Sequence, residues 1–231
     1  MKISAIILAA GSSSRMDGKN KQLAEVAGET VIYHTVKAFE DCSLVDNIVV
    51  VCKDGEQPDF HRALGDDFVK LSSLIVGGDT RFDSAKKAFL SLDNNTEFVV
   101  IHDGARCLIT SDSITKVIES ARMFGAATAA SKITDTVKKC DLSGVVLNTV
   151  NRNELMAVQT PQVFSYEVYK KALYSLPEIH EEITDDNMLM EFINVNVHTV
   201  ELESENIKIT TMKDLDFVSY ILEKRARDGG I

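Results

Sequence analysis

The sequence predicts an α/β fold, a doubly wound sheet with helices on both faces. Three observations carry this. Short apolar runs rich in Ile, Val and Leu recur along the chain, as in strands buried on both faces of a parallel sheet. Segments of helical periodicity separate them, which is the rhythm of right-handed βαβ crossovers. The chain has 231 residues, 45% hydrophobic and 26% charged. That is enough to bury a core without staples, and it excludes a disordered chain, a collagen-like fibre and a disulfide miniprotein.

Taken in order, the first strand is Ile3–Ala9. Val31–Phe39 follows Gly28 and Thr30 and is helical. Asn47–Cys52 (NIVVVC) and Leu71–Val76 are the next two strands. A Gly77–Gly78 turn leads into the helical segment Arg81–Leu92. Phe98–His102 (FVVIH) is the fourth strand, Ser111–Phe124 a helix ending just before Gly125, and Ala126–Ile133 the fifth strand. After Thr136 the rhythm breaks. Val137–Val150 reads as a β-hairpin with its turn at Asp141–Gly144. Ala157–Thr160 is a short extended stretch stopped by Pro161. Ser165–Leu176 and Asp185–Phe192 are helical, and Val195–Leu202 and Ile207–Thr210 are strands. Thr211 opens the last helix with Asp214 as its capping-box partner. No repeat, low-complexity tract or domain boundary interrupts this pattern. The expectation is one domain over 1–231 with an arm at about 137–150.

Lys and Arg number 25 against 35 Asp and Glu, for a formal net charge of −10. Such a chain is not a general nucleic-acid or membrane-surface binder. A polyanionic ligand must be held by a few placed cations. Cys42, Cys52, Cys107 and Cys140 form neither a CxxC pair nor a zinc-ligand spacing, and read as incidental thiols of a reducing compartment. The apolar run Ala5–Ala10 is too short for a signal segment, and no stretch approaches a membrane span. A cytoplasmic protein is expected.

Seven blocks carry chemistry. Leu8–Met16 (LAAGSSSRM) puts small residues straight after the first strand, so backbone N–H groups can hold phosphate oxygens. It is neither GxGxxG nor a Walker loop. The cations Arg15, Lys19 and Lys21 follow it. Gly77–Ser84 (GGDTRFDS) lies at a strand end and opens a helix, and Asp79 and Ser84 can read a base edge. In Val99–Arg106 (VVIHDGAR), Asp103 leaves a buried strand at its C-terminal end, a natural place for a Mg²⁺ or phosphate-site ligand. His102 beside it reads as a structural histidine. The remaining blocks are Thr134–Lys138 (TDTVK), Asn151–Asn153 leading to Gln159–Phe164 (QTPQVF), Ile183–Asp186 (ITDD) and Glu205–Thr210 (ENIKIT). Singly each is an ordinary polar loop; in series they bring hydroxyls and cations to strand ends along the whole chain.

The order and spacing of these blocks resemble the 2-C-methyl-D-erythritol 4-phosphate cytidylyltransferase family over residues 3–222. The resemblance implies a single Rossmann-like, doubly wound mixed sheet of the nucleotidyltransferase type, with a protruding β-arm that builds a homodimer. It implies CTP and a sugar-alcohol phosphate as substrates, Mg²⁺ as cofactor, and no nucleic-acid or membrane partner. It implies catalytic roles for Arg15, Lys21 and Lys208, and nucleotide contacts from Ala10, Gly11, Gly78, Asp79, Ser84 and Asp103, the last also a metal ligand. Arg106, Thr136, Arg152, Thr160 and Thr184 are implied for the acceptor. The chain departs from the family at Ser13 (usually Gly), Asn20 (usually Pro), Gly104 (usually Ala) and Cys107 (usually Pro). The loop before Lys21 is about one residue short, which leaves Lys19 as a competitor for its role. Other readings are a ribitol 5-phosphate cytidylyltransferase, a UTP- or GTP-dependent relative, and a nucleotide-binding protein without catalysis. The last would be expected to lose Arg15, Lys21 or Lys208, and all three are present.

Overall fold

A computed structural model describes residues 1–11, 20–175, 183–202 and 205–229. Arg15 and Lys19 lie outside the described residues.

The chain runs β1 (Lys2–Leu8), β2 (Glu25–Val26), β3 (Glu29–Thr30), α1 (Val31–Glu40), β4 (Asn47–Cys52), α2 (Gln57–Leu64), β5 (Leu71–Val76), α3 (Arg81–Leu90) and β6 (Thr96–Asp103). It continues through α4 (Ser111–Phe124), β7 (Ala126–Lys132), β8 (Lys138–Cys140), β9 (Val146–Thr149), β10 (Met156–Ser165), α5 (Tyr166–Tyr174), α6 (Asn187–Phe192), β11 (His198–Glu201) and α7 (Met212–Arg227).

A seven-stranded sheet has the order β11-β7-β10-β6-β1-β4-β5. Pairing is parallel throughout except at β10, which runs antiparallel to both β6 and β7. The alternation of β1 shows why helices cover both faces. Ile3, Ala5 and Ile7 pack with Val36 and Phe39 of α1, Phe60 of α2 and Val117 of α4. Ile6 and Leu8 join Phe89 of α3, Tyr169 of α5 and Leu189 of α6 on the other face. Phe39, Phe60 and Phe89 are each at most 1% exposed, and burying a side chain of that size stabilises by about 1.5–3 kcal/mol. A smaller cluster seats Leu215, Val218 and Ile221 of α7 against Val26, Ala105 and Ile209.

Helix starts follow local chemistry. Thr30 and Thr110 accept at Oγ1 from the backbone N–H groups of Tyr33 and Ser113. Thr80 and Asp83 form a capping box at α3, and Thr211 donates its N–H to Asp214 Oδ2 at 2.7 Å as expected. Gly125 ends α4 at φ 87°, a left-handed conformation that favours glycine.

Three expectations need correction. Pro161 does not stop a strand; β10 continues to Ser165, with a slip in its pairing to β7 between Val158 and Gln162. That slip accommodates a residue with no N–H to donate. Ile207–Thr210 joins no sheet. It lies beyond the end of β6, and the Ile209 N–H donates to Ala105 O at 2.8 Å instead of to a ladder. The Val195–Leu202 strand is shorter, His198–Glu201. The sequence reading also missed α2 and the β2–β3 hairpin, whose two-residue turn places Ala27 at φ 49° and Gly28 at φ 90°.

The hairpin expected at Val137–Val150 forms as β8 and β9. All its residues from Lys138 to Thr149 are exposed, including Leu142, Val145, Val146 and Leu147. Among the described residues it is a two-stranded ribbon with no apolar side chain of its own buried.

Candidate active site

A cavity of about 510 Å³ opens at the C-terminal ends of β1, β4, β5 and β6, where open α/β sheets bind ligands. Two backbone turns form its wall. Ala10 and Gly11 follow β1, and Gly77–Thr80 follow β5. The second turn is tightly packed. A Cβ on Gly77 would sit 2.6 Å from Ser84 Oγ, and one on Gly78 2.3 Å from Asp83 Cβ. The Gly78 N–H donates to Ser84 Oγ at 3.0 Å, and Lys87 Nζ donates to Gly77 O at 2.8 Å. Only glycine allows this approach of turn to helix, and it leaves a small-residue ledge for a ligand.

Asp103 ends β6 at the cavity wall, 7% exposed. Three cations converge on it, Arg106 from three residues on and Arg81 and Lys208 from distant segments. Its Oδ2 lies 2.9 Å from Lys208 Nζ and 3.3 Å from Arg106 Nε, and its Oδ1 lies 3.7 Å from Arg81 Nε. Burial by itself would raise the carboxyl pKa, but Lys208, Arg81 and Arg106 outweigh it and hold the group well below the usual carboxylate range. Lys21, in a short 3₁₀ turn, donates from Nζ to Ile209 O at 2.9 Å. It thereby ties its own turn to the segment that carries Lys208. Arg106 fastens the same segment, donating from Nη1 to Asn206 O at 2.9 Å. Asn206 Nδ2 donates to Gln159 Oε1 and Thr160 O, both at 2.9 Å. An extended strap with no sheet partner thus acquires a fixed position.

The structure brings Ala10, Gly11, Lys21, Gly78, Asp79, Ser84, Asp103 and Lys208 to one cavity. Arg106 stands behind Asp103. Thr160 is 4% exposed, and its hydroxyl is committed. Its Oγ1 accepts from the Asp103 N–H at 3.0 Å and lies 3.0 Å from His102 Nδ1. Arg106 O can only accept, so the neutral His102 ring donates to it from Nε2 at 3.3 Å and leaves Nδ1 to accept the Thr160 hydroxyl proton. Expected as an acceptor contact, Thr160 instead sets the backbone of Asp103. Thr136, Arg152 and Thr184 are exposed and do not line the cavity of their own chain. Arg152 donates to Thr134 O, which closes the base of the arm.

Sequence reasoning missed Arg81, Lys53, Asp54 and Gln22, which also line the cavity. Lys53 and Asp54 directly follow β4, so the strand-end rule that selected Asp103 applies to them too. Arg81 stood inside a quoted block, but its partner Asp186 is 105 residues away, beyond any local pattern. Two departures from the family find a place. A Cβ on Gly104 would meet Gln22 Oε1 at 2.9 Å. Cys107 is buried, and burial pushes its thiol up to about 12. Cys42 and Cys52 are buried and Cys140 exposed, all unpaired.

Asp103 fits a magnesium ion shared with a triphosphate. It is a hard carboxylate on the cavity wall, and its Oδ1 lies 3.7 Å from Arg81 Nε, beyond hydrogen-bond range. Mg²⁺ is commonly held by one or two carboxylates together with substrate phosphates. Among the described residues no group of three or more His, Cys, Asp or Glu forms a complete metal cage.

His102 is fully buried between β1 and β10 with its ring 5.1 Å from that of Phe39. Burial lowers its pKa to about 3. In the unfolded chain it titrates near 6.5, so acid loads the unfolded state with a proton that the folded state refuses. Its contribution is complete above the unfolded pKa and is lost as pH falls toward 3. Between pH 7 and pH 5 this costs about 2 kcal/mol. Urea unfolding at the two pH values should show His102→Asn with a flatter response than wild type by about that amount. Parallel slopes would put the titration elsewhere. Asp103 does not confuse the comparison: its carboxyl is held low, so its own contribution is lost only as pH falls through the ordinary carboxylate range and further, below about pH 5.

The model of the 2-C-methyl-D-erythritol 4-phosphate cytidylyltransferase family matches residues 3–224. A protein of that description from Clostridium perfringens is 37% identical over 224 residues, 96% of this chain and 99% of the relative. One from Desulforamulus reducens is 39% identical over 226 residues, 96% of this chain and 97% of the relative. Among solved structures, a 4-diphosphocytidyl-2C-methyl-D-erythritol synthase from Anaerococcus prevotii superposes with a TM-score of 0.85 at 31% identity, covering 96% of this chain and 98% of that one. The cytidylyltransferase of Thermus thermophilus gives a TM-score of 0.79 at 26% identity, covering 96% and 100%.

Proposed function

The chain belongs to the 2-C-methyl-D-erythritol 4-phosphate cytidylyltransferase family, and from that premise we propose how its residues carry the reaction. The enzyme joins the CMP part of CTP to 2-C-methyl-D-erythritol 4-phosphate in isoprenoid biosynthesis. The ribitol phosphate reading finds no support in these relatives. The observation that carries the assignment of roles is the convergence on Asp103 of Lys208, Arg81 and Arg106, beside a glycine ledge.

A phosphate-monoester oxygen of the acceptor attacks the α-phosphorus, the bond from that phosphorus to the bridging oxygen of the β-phosphate breaks, and pyrophosphate leaves. With a second pKa of about 6, the attacking group is already a dianion at neutral pH. No general base is required, and His102, buried and neutral, is not one. The demand on the protein is to hold two polyanions in line and to stabilise charge at phosphorus. Ala10, Gly11, Gly78, Asp79 and Ser84 hold the nucleoside on the two turns. Lys21 and Lys208 face the α-phosphate, with Arg15 on the triphosphate. Asp103 would hold Mg²⁺, which would supply charge neutralisation for the triphosphate.

The arm, an insertion in a single domain, covers a second subunit. A ribbon of this length is marginal alone in water, and its exposed Leu142, Val145, Val146 and Leu147 suit a protein partner. Arg152 and Thr136 at its base then serve the acceptor in the partner's site, with Thr184 and Arg106. No helix among the described residues is long and apolar enough to cross a membrane, in keeping with a cytoplasmic enzyme.

Pyrophosphate release tests the reading. With CTP and methylerythritol phosphate it should vanish in EDTA and return with Mg²⁺. ATP in place of CTP should give negligible kcat/KM. A comparable value with ATP would sink the base site assigned to Gly78, Asp79 and Ser84.

A further inference from the structure

Asp186 is 1% exposed and does not line the cavity, yet it holds a cation that does. Its Oδ2 accepts from Arg81 Nη1 at 2.6 Å. Its Oδ1 accepts from Tyr169 Oη, itself fully buried, at 2.6 Å. Its backbone N–H donates to Gln162 Oε1 at 2.9 Å. Both oxygens of the carboxylate are thus committed, and its backbone is pinned to β10. Arg81 is fixed from the other side by the capping box that sets the first turn of α3. Burial disfavours the guanidinium charge, but Asp186 and then Asp103 more than compensate and raise its pKa.

The distances make this arrangement more than a structural ion pair. Arg81 places its Nη1 in a short bond to Asp186 and stops 3.7 Å short of Asp103 Oδ1. The other Asp103 oxygen carries Lys208 and Arg106. Without Asp186, the guanidinium keeps Asp103 as a carboxylate 3.7 Å away, and a bidentate pair is the geometry that Arg and carboxylate favour. That pair would occupy the oxygen a metal ion needs.

We propose that Asp186 is a positioning residue: it holds Arg81 off Asp103 Oδ1 and so keeps that carboxylate open to the magnesium ion of the nucleotide. The inference rests on the function given above for the metal ligand Asp103. It adds a reason for a buried carboxylate so far from the chemistry. Desolvating a charge pair is costly, and such pairs are poor devices for stability alone.

The test measures CTP binding calorimetrically as a function of Mg²⁺, without acceptor. Asp186→Asn keeps the shape and loses the charge. It should raise the Mg²⁺ concentration for half-maximal CTP binding by about tenfold, with the same rise in the Mg²⁺ dependence of turnover and a smaller change in kcat at saturating Mg²⁺. In an Arg81→Gln background the Asp186→Asn change should have no further effect on the Mg²⁺ requirement, because Arg81 is the group through which it acts. Tyr169→Phe removes one bond to Asp186 and should shift the same midpoint in the same direction by a lesser factor, which keeps the idea testable if Asp186→Asn does not fold. A Mg²⁺ midpoint within twofold of wild type, or a full shift persisting in the Arg81→Gln background, would overturn the proposal. Wild-type turnover with methylerythritol phosphate, run alongside, reports on the function itself, while the binding midpoint does not depend on the acceptor.

Discussion

Lys208→Ala should lower kcat by about 10²-fold or more at saturating CTP, and Lys21→Ala should do the same. Lys208 Nζ reaches the cavity 2.9 Å from Asp103, with 40% of its side chain exposed, so its charge faces both the protein and the ligand space. Lys21 bonds the carbonyl of Ile209, next to Lys208 in the chain. The Lys21 ammonium is therefore tied to the short strap that carries Lys208. Charge placed before the reaction begins need not reorganise during it, and one such donor is typically worth about 3–4 kcal/mol of barrier. The loss should fall on kcat, because the negative charge these groups oppose grows in the transition state. Steady-state kinetics of both variants settle the point, and near wild-type kcat in either would remove that lysine from the chemistry. Lys19→Ala, measured in parallel, decides which lysine the shortened loop has recruited.

Mixing two inactive homodimers should restore activity. Lys21→Ala and Arg152→Ala are each expected to be nearly inactive alone. Arg152 lies at the base of an exposed arm and does not line the cavity of its own chain. If it serves the partner's site, a mixed dimer holds one site with both changes and one site with neither. Random exchange makes half the dimers mixed, and half the sites in those are intact, so activity should rise to roughly a quarter of wild type. An arm that works on its own chain leaves both sites of the mixed dimer damaged. Subunit exchange confirmed by mass, with no recovery, would exclude the shared site. A monomer in solution would exclude it sooner.

Much of this architecture was legible because strand and helix periodicity are local. Asn47–Cys52, Leu71–Val76 and Ser111–Phe124 appear at the bounds expected. The site was legible where chemistry follows a strand end, as at Ala10, Gly78 and Asp103. What escaped was set by distant partners. Arg81 has meaning only against Asp186, and Thr160 only against His102 and the Asp103 backbone. The passage of β10 through Pro161 was hidden because proline reads as a stop when the neighbouring strands are not known. Ile207–Thr210 has the composition of a strand, but it lies beyond the end of β6, which is already paired on both sides with β1 and β10.

The lone reversed strand has a consequence for the order in which the protein is made. β6 and β7 are separated by only one helix in sequence, yet they never touch as neighbours; β10 stands between them. On the ribosome, where N-terminal segments fold first, β7 must therefore wait, and with it β11, until the chain through Ser165 has emerged and slid into the gap. The same insertion delivers Thr160 to the Asp103 backbone and offers Gln159 and Thr160 as the anchors of Asn206. A nascent chain cannot bind nucleotide competently before that event. Closure of the sheet therefore comes before completion of the active centre, because Asn206 and Lys208 are made only after the residues that anchor them.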